Sequence, residues 1–240
     1  MAVDPVALPM KEAQAFWADK RIVTPEEWKD LSELARARAF SVSGVSARDM
    51  LEQVRAAITE ALEQGETLAD FKARFADIVE AKGWTGKRAW RVDTIFRTNI
   101  QTAYQAGRYV QMKRAAVTRP YWRYVSVADS RTRPSHAALH GLVYPADHSF
   151  WSTFYPPNGF RCRCTVQTLS ASQVQARGYE VQTDWPGLVE PMDPATGERL
   201  PPVRPFPDKG FVGNAAEEWL SATILESDKR NDDEARSKAR

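Results

Sequence analysis

Pro134-Ser135-His136-Ala137-Ala138-Leu139-His140-Gly141 opens on a proline and stops on a glycine, and further on comes Cys162-Arg163-Cys164-Thr165-Val166-Gln167-Thr168-Leu169. The first stretch predicts a short helix from Pro134 to His140, with the proline pre-set for its first turn and Gly141 at its end. The second, rich in β-branched residues, predicts a strand. On the helix His136 and His140 are i and i+4, stacked on one face. On the strand Cys162 and Cys164 are i and i+2 and point the same way. Two imidazoles and two thiolates can then meet at one tetrahedral ion, a donor set that suits zinc. His136, His140, Cys162 and Cys164 are the candidate ligands of a structural zinc, with His148 as the spare. The chain has three His and two Cys, all placed between 136 and 164. A disulfide across the Cys-x-Cys tripeptide would be strained and would close almost no loop.

Upstream, helices with legible ends dominate. Thr24-Pro25-Glu26-Glu27 supplies an N-cap, a first-turn proline and a capping-box glutamate for a helix carrying Trp28, Leu31 and Leu34. Ser46 is the expected cap of the next, where Met50, Leu51, Val54, Ile58 and Leu62 recur at helical spacing until Gly65. Thr67 to Lys82 repeats the pattern with Leu68, Phe71, Phe75 and Ile78. The longest helix is expected from Lys87 to Ala115, with Val92, Phe96, Ala103 and Val110 on one stripe and Lys87, Arg91, Arg97 and Arg108 roughly opposite. After Pro120 the pattern turns to strands, at Tyr121 to Val127 and Cys164 to Leu169, followed by a short helix over Ser170 to Arg177. Seven prolines fall between Pro186 and Pro207, which predicts a hairpin or extended arms there. Glu226 to Arg240 carries five acids and five bases and reads as a disordered tail.

The expected architecture is therefore α+β: an N-terminal helical region (1–117), then a small mixed α/β domain with a His/Cys cluster (118–225), then the tail (226–240). Of 240 residues, 43% are hydrophobic and 27% charged, the balance of a globular chain able to bury a core. No apolar run reaches the length of a membrane span and the first residues lack the pattern of a secretory leader, so no membrane role is expected and synthesis in a bacterial cytoplasm is. Net charge is +2, but residues 87–124 hold nine Lys/Arg against Asp93 alone. Lys87, Arg91, Arg97 and Arg108 are candidates for contact with phosphate backbone or an acidic partner, with a plain solvated face as the alternative. Arg131 and Arg133 flank the His/Cys cluster with Arg161 and Arg163; they either grip nucleic acid or an acidic protein, or pair with Asp129 within the domain. No His-Glu-x-x-His, Gly-x-Ser-x-Gly or phosphate-cradling loop is present, and Ala138 stands where a zinc deaminase needs its glutamate. Asp129 and Asp147 leave a metal-dependent nuclease as an alternative.

Asp129-Ser130-Arg131-Thr132-Arg133-Pro134-Ser135-His136, then Gly141, Trp151 and Pro156-Pro157-Asn158-Gly159-Phe160-Arg161-Cys162-Arg163-Cys164, resembles the signature of the Mu F-like head morphogenesis family, minor head proteins of tailed phages. Ile95-Phe96-Arg97-Thr98-Asn99 upstream and Phe206-Pro207-Asp208-Lys209-Gly210-Phe211 downstream are similar to the family's flanking elements. The resemblance implies an internal head component that associates with the portal and with other capsid or scaffold proteins. It also implies a part in head morphogenesis and DNA packaging or delivery, contact with packaged double-stranded DNA, a place inside the virion head, and neither enzymatic activity nor a small-molecule substrate. Non-specific DNA binding is the remaining alternative.

Overall fold

A computed structural model describes residues 10–193, 196–211 and 213–223; the expected tail lies outside them. The chain is α+β. Its helical part begins with α1 (Lys11–Ala18), a two-residue β1 (Arg21–Ile22), α2 (Pro25–Lys29), α3 (Glu33–Ala37) and β2 (Ala39–Phe40), the last pairing in parallel with β1. The capping box at Thr24 forms: Glu27 N–H donates to Thr24 Oγ1 at 3.2 Å and Thr24 N–H to Glu27 Oε2 at 2.7 Å. The helix it starts is shorter than the Trp28-Leu31-Leu34 spacing predicts, because Ser32 takes over as a second cap and its Oγ accepts from Ala35 N–H.

Next come α4 (Arg48–Gln64), α5 (Leu68–Arg74) and α6 (Ala76–Ala81). The cap of α4 is Ala47 rather than Ser46, with no side-chain bond. The single helix expected over 67–82 is broken at Phe75, which leaves helical backbone angles and stacks on Phe71 with ring centroids 5.0 Å apart. A 3-10 turn (Gly86–Arg88) then leads into the 25-residue α7 (Trp90–Arg114), on which Val92, Phe96, Ala103 and Val110 are buried as the stripe predicts. Gly107 lets α1 approach: a Cβ there would lie 2.7 Å from Ala13 N and 2.7 Å from Met10 Sδ.

The sheet has the order β4-β3-β5, built from β3 (Tyr121–Val125), β4 (Val143–Pro145) and β5 (Thr165–Leu169), all antiparallel. Between strands lie α8 (Pro134–Ala137) and α9 (Phe150–Phe154), and α10 (Ala171–Ala176) follows, capped by Ser170. The proline-rich segment makes antiparallel bridges Val189↔Val203 and Met192↔Arg199, the expected hairpin, and residues 215–223 are helical. One buried cluster runs from Phe16 and Trp17 through Leu51, Phe71 and Phe96 to Trp122, Tyr124, Trp151, Cys162 and Cys164. Each large side chain fully buried in it contributes about 1.5–3 kcal/mol.

As an edge strand, β5 presents outward carbonyls at every second residue, and α7 and its continuation cover them. Gln101 Nε2 donates to Cys164 O at 3.0 Å, Arg108 Nη2 to Val166 O at 2.8 Å and Arg119 Nη2 to Thr168 O at 2.5 Å. The basic face expected either to contact phosphate or an acidic partner or to be solvated thus partly serves the sheet.

Candidate metal centre

α8 delivers His136, and the extended residues just ahead of β5 deliver Cys162 and Cys164. Within α8, Pro134 sits at the first turn and His136 N–H donates to Arg133 O at 3.0 Å, which aims the imidazole inward. Gly159 O accepts from Cys162 N–H at 3.1 Å, closing a turn in which Arg161 takes the left-handed conformation (φ 58°). Such a conformation costs a non-glycine residue about 1–2 kcal/mol; here Arg161 N–H donates to Thr98 Oγ1 at 3.1 Å and its guanidinium pairs with Asp93 on α7.

The three side chains meet. His136 Nδ1 lies 3.7 Å from Cys162 Sγ and 3.5 Å from Cys164 Sγ, with every candidate ligand atom within 4.8 Å of the others. Each residue is only 3% exposed. A hydrogen bond from Cys164, with a further contribution from His136, holds the Cys162 thiol low, at about 4, against the opposing effect of burial. Cys164 is pushed up by that same bond and by burial. The Cys162 thiol, lowered beside an imidazole in a buried pocket, is disposed to give up its proton, as a soft divalent ion requires of its ligands.

His140, expected as the fourth ligand, is not part of this group. α8 stops at Ala137, and the next bonds, Leu139 N–H to His136 O and His140 N–H to Ala137 O, are of the tighter i→i+3 kind. The i, i+4 stacking needs an α-helix carried through residue 140. His140 lies at the surface with its ring partly covered, its Nδ1 accepting from Ser126 N–H at 3.1 Å, and that partial burial followed by the nearby Arg123 charge lowers its pKa. His148 is engaged elsewhere too: Nδ1 accepts from Phe150 N–H at 3.0 Å and Nε2 lies 3.0 Å from Thr183 O.

Around the three ligands stand Tyr124 and Asn158, which the sequence reading did not single out, and Asp129, which it did. Asn158, buried in the Pro-Pro-Asn-Gly turn, donates from Nδ2 to Tyr124 Oη at 3.0 Å and to Phe154 O at 2.9 Å. The Tyr124 hydroxyl also acts to lower the Cys164 thiol, and the Asn158 backbone to lower that of Cys162. Tyr124 looked like one more aromatic of a core strand, and nothing in its spacing marks it otherwise. Asp129 accepts from both Arg163 nitrogens, at 2.7 and 2.6 Å, and from Arg131 N–H at 3.0 Å. Those bonds hold its carboxyl far below the usual carboxylate range.

The basic candidates are dispersed. Arg133 reaches Phe160 O at 2.8 Å and Asp208 at 3.5 Å, and Arg131 pairs loosely with Asp129 at 3.5 Å, both beside the cluster. Arg97 pairs with Asp93 one turn away, Arg91 donates to Ser43 O and lies over the Trp84 ring, and Arg108 is bound to β5. Lys87 is exposed on the 3-10 turn ahead of α7.

Residues 52–167, from α4 into β5 and including all three cluster residues, match the family described as Phage Mu protein F like protein. Over just under half of its length the chain is similar to this family. It is 39% identical over 190 residues to "Putative capsid assembly protein F" of Escherichia phage Mu, an alignment covering 72% of this chain and 43% of that protein. It is 38% identical over 190 residues to "Mu-like prophage FluMu F protein" of Haemophilus influenzae, covering 72% of this chain and 46% of that protein. The chain therefore spans under half the length of these Mu F-like relatives. No solved structure matches it. Among the described residues no helix is long and apolar enough to cross a membrane.

Proposed function

We propose that this chain acts in phage head assembly, as an internal head component that binds the portal and neighbouring capsid or scaffold proteins and assists DNA packaging and delivery. The similarity to the capsid assembly protein of phage Mu carries this reading, because the matched segment takes in the whole His/Cys centre and the helix that braces it. In this reading His136, Cys162 and Cys164 hold a structural zinc. Zinc–sulfur bonds of about 2.3 Å and a zinc–nitrogen bond of about 2.05 Å put N and S about 3.6 Å apart at a tetrahedral angle, and the observed separations are 3.5 and 3.7 Å. When bound, the ion would pin the turn before β5 to α8. Construction suits the site better than hydrolysis, since Asp129, the nearest candidate base, is engaged by Arg163 and too acidic to take up a proton near neutral pH.

For partner contact we propose Lys87, Arg97 and Arg131 ahead of Arg91, Arg108 and Arg133, whose guanidiniums serve the chain's own backbone. Mass spectrometry of purified virions tests the assembly reading. The protein should be found in particles, and deletion of its gene should leave heads that form but package or infect poorly. Its absence from particles of normal infectivity would refute the reading.

A further inference from the structure

Three protein ligands leave one vertex of a tetrahedral ion vacant. Among the described residues no other His, Cys, Asp or Glu joins the group, and His140 and His148 are engaged at other places. Beside the cluster lies a cavity of about 20 Å³, bordered by Val127, Arg131, Thr132, Arg133, Arg161 and Arg163. That is room for one small donor atom and not for a bulky group. Four guanidiniums at this mouth face Asp129, Asp208 and Asp93, the last shared with Arg97, so guanidiniums outnumber carboxylates, and the Arg131 side chain is 75% exposed. His136 Nε2 is buried without a hydrogen-bond partner.

Resting on the zinc reading above, we propose that the vacant position takes a carboxylate oxygen from outside the described chain, the Asp or Glu side chain of an acidic protein segment. The mouth selects an anion through its surplus guanidinium charge. The small cavity then favours a carboxylate, whose head is narrow and rides on a flexible stem, over a DNA phosphodiester, whose phosphorus is flanked by two ester links. A centre of this kind becomes four-coordinate only in a complex, which couples the metal to docking.

The test uses the full chain loaded with Co²⁺, whose visible bands report the ligand set. The cobalt protein is titrated with sodium acetate, dimethyl phosphate as the phosphodiester, and a short acidic peptide compared with its Glu→Gln counterpart. Acetate and the Glu peptide should shift the bands saturably, the peptide binding at least tenfold tighter than acetate, while dimethyl phosphate and the Gln peptide should not. Arg131→Gln should weaken the acetate effect by roughly threefold to tenfold without altering the thiolate-to-cobalt bands. Thiolate bands that ignore every anion, that respond to dimethyl phosphate alone, or that change on His140→Ala or His148→Ala would overturn this inference while leaving the metal site standing. Failure to bind Co²⁺ at all would overturn the zinc reading as well.

Discussion

Replacing Arg108 with Met separates the two roles that sequence and structure assign to the basic face of α7. Arg108 Nη2 donates to Val166 O on the open edge of β5 at 2.8 Å. A hydrogen bond from a charged donor contributes about 1.5–3 kcal/mol, and its loss strands a partly buried carbonyl. Arg108 Nε is itself buried without a partner, so its removal refunds part of that loss, and Met keeps the apolar stem. The net expectation is destabilisation by about 1–2 kcal/mol, which for a chain of this size lowers Tm by about 2–8 °C. Arg97→Met removes only an i, i+4 pair with Asp93, whose arginine is about half exposed, and should cost about 0.3–0.5 kcal/mol. Urea unfolding and calorimetry of both variants measure this contrast. DNA retention against salt supplies the second readout: a phosphate-contacting arginine would reduce the slope of log K against log salt by about 0.9, and Arg108→Met should leave it unchanged. A variant of normal stability whose salt slope falls by one contact would refute the assignment.

Gly107→Ala should destabilise by about 1–3 kcal/mol although alanine favours a helix by about 1 kcal/mol, because the new Cβ meets the backbone of α1; a rise in Tm would show that α1 is not seated against α7 in this way. Asp129 has a folded-state pKa below its unfolded value of about 3.9, so its contribution to stability is present above that pH and is lost as pH falls through the acid range. Asp129→Asn should therefore lower stability at pH 7 and flatten the decline of stability below about pH 4, which acid titration of the unfolding midpoint would reveal; a variant with the wild-type acid profile would contradict the Arg163 pairing.

Most of the helical half was legible because its signals are local. The Thr24 box, the Gly65 stop and the α7 stripe each depend on residues a few positions apart, and each stands in the structure. The departures arise where a second local signal intervenes, as Ser32 does by starting α3, or where packing overrides periodicity, as the Phe71–Phe75 stack does at the break between α5 and α6. At the centre, Cys-x-Cys and His136 were readable from spacing. His140 was misplaced because its inclusion assumed three more helical residues than α8 has. β4, three residues within a loop, offers too short a pattern to detect. Tyr124 and Asn158 became visible only when the sheet brought residues 34 positions apart within 3.0 Å.

Elemental analysis of the purified full chain addresses the central claim most directly. One equivalent of zinc per chain is predicted, retained in His140→Ala and lost, with a lowered Tm, in Cys162→Ser and Cys164→Ser. A chain that carries no stoichiometric metal and melts unchanged after chelation would contradict it.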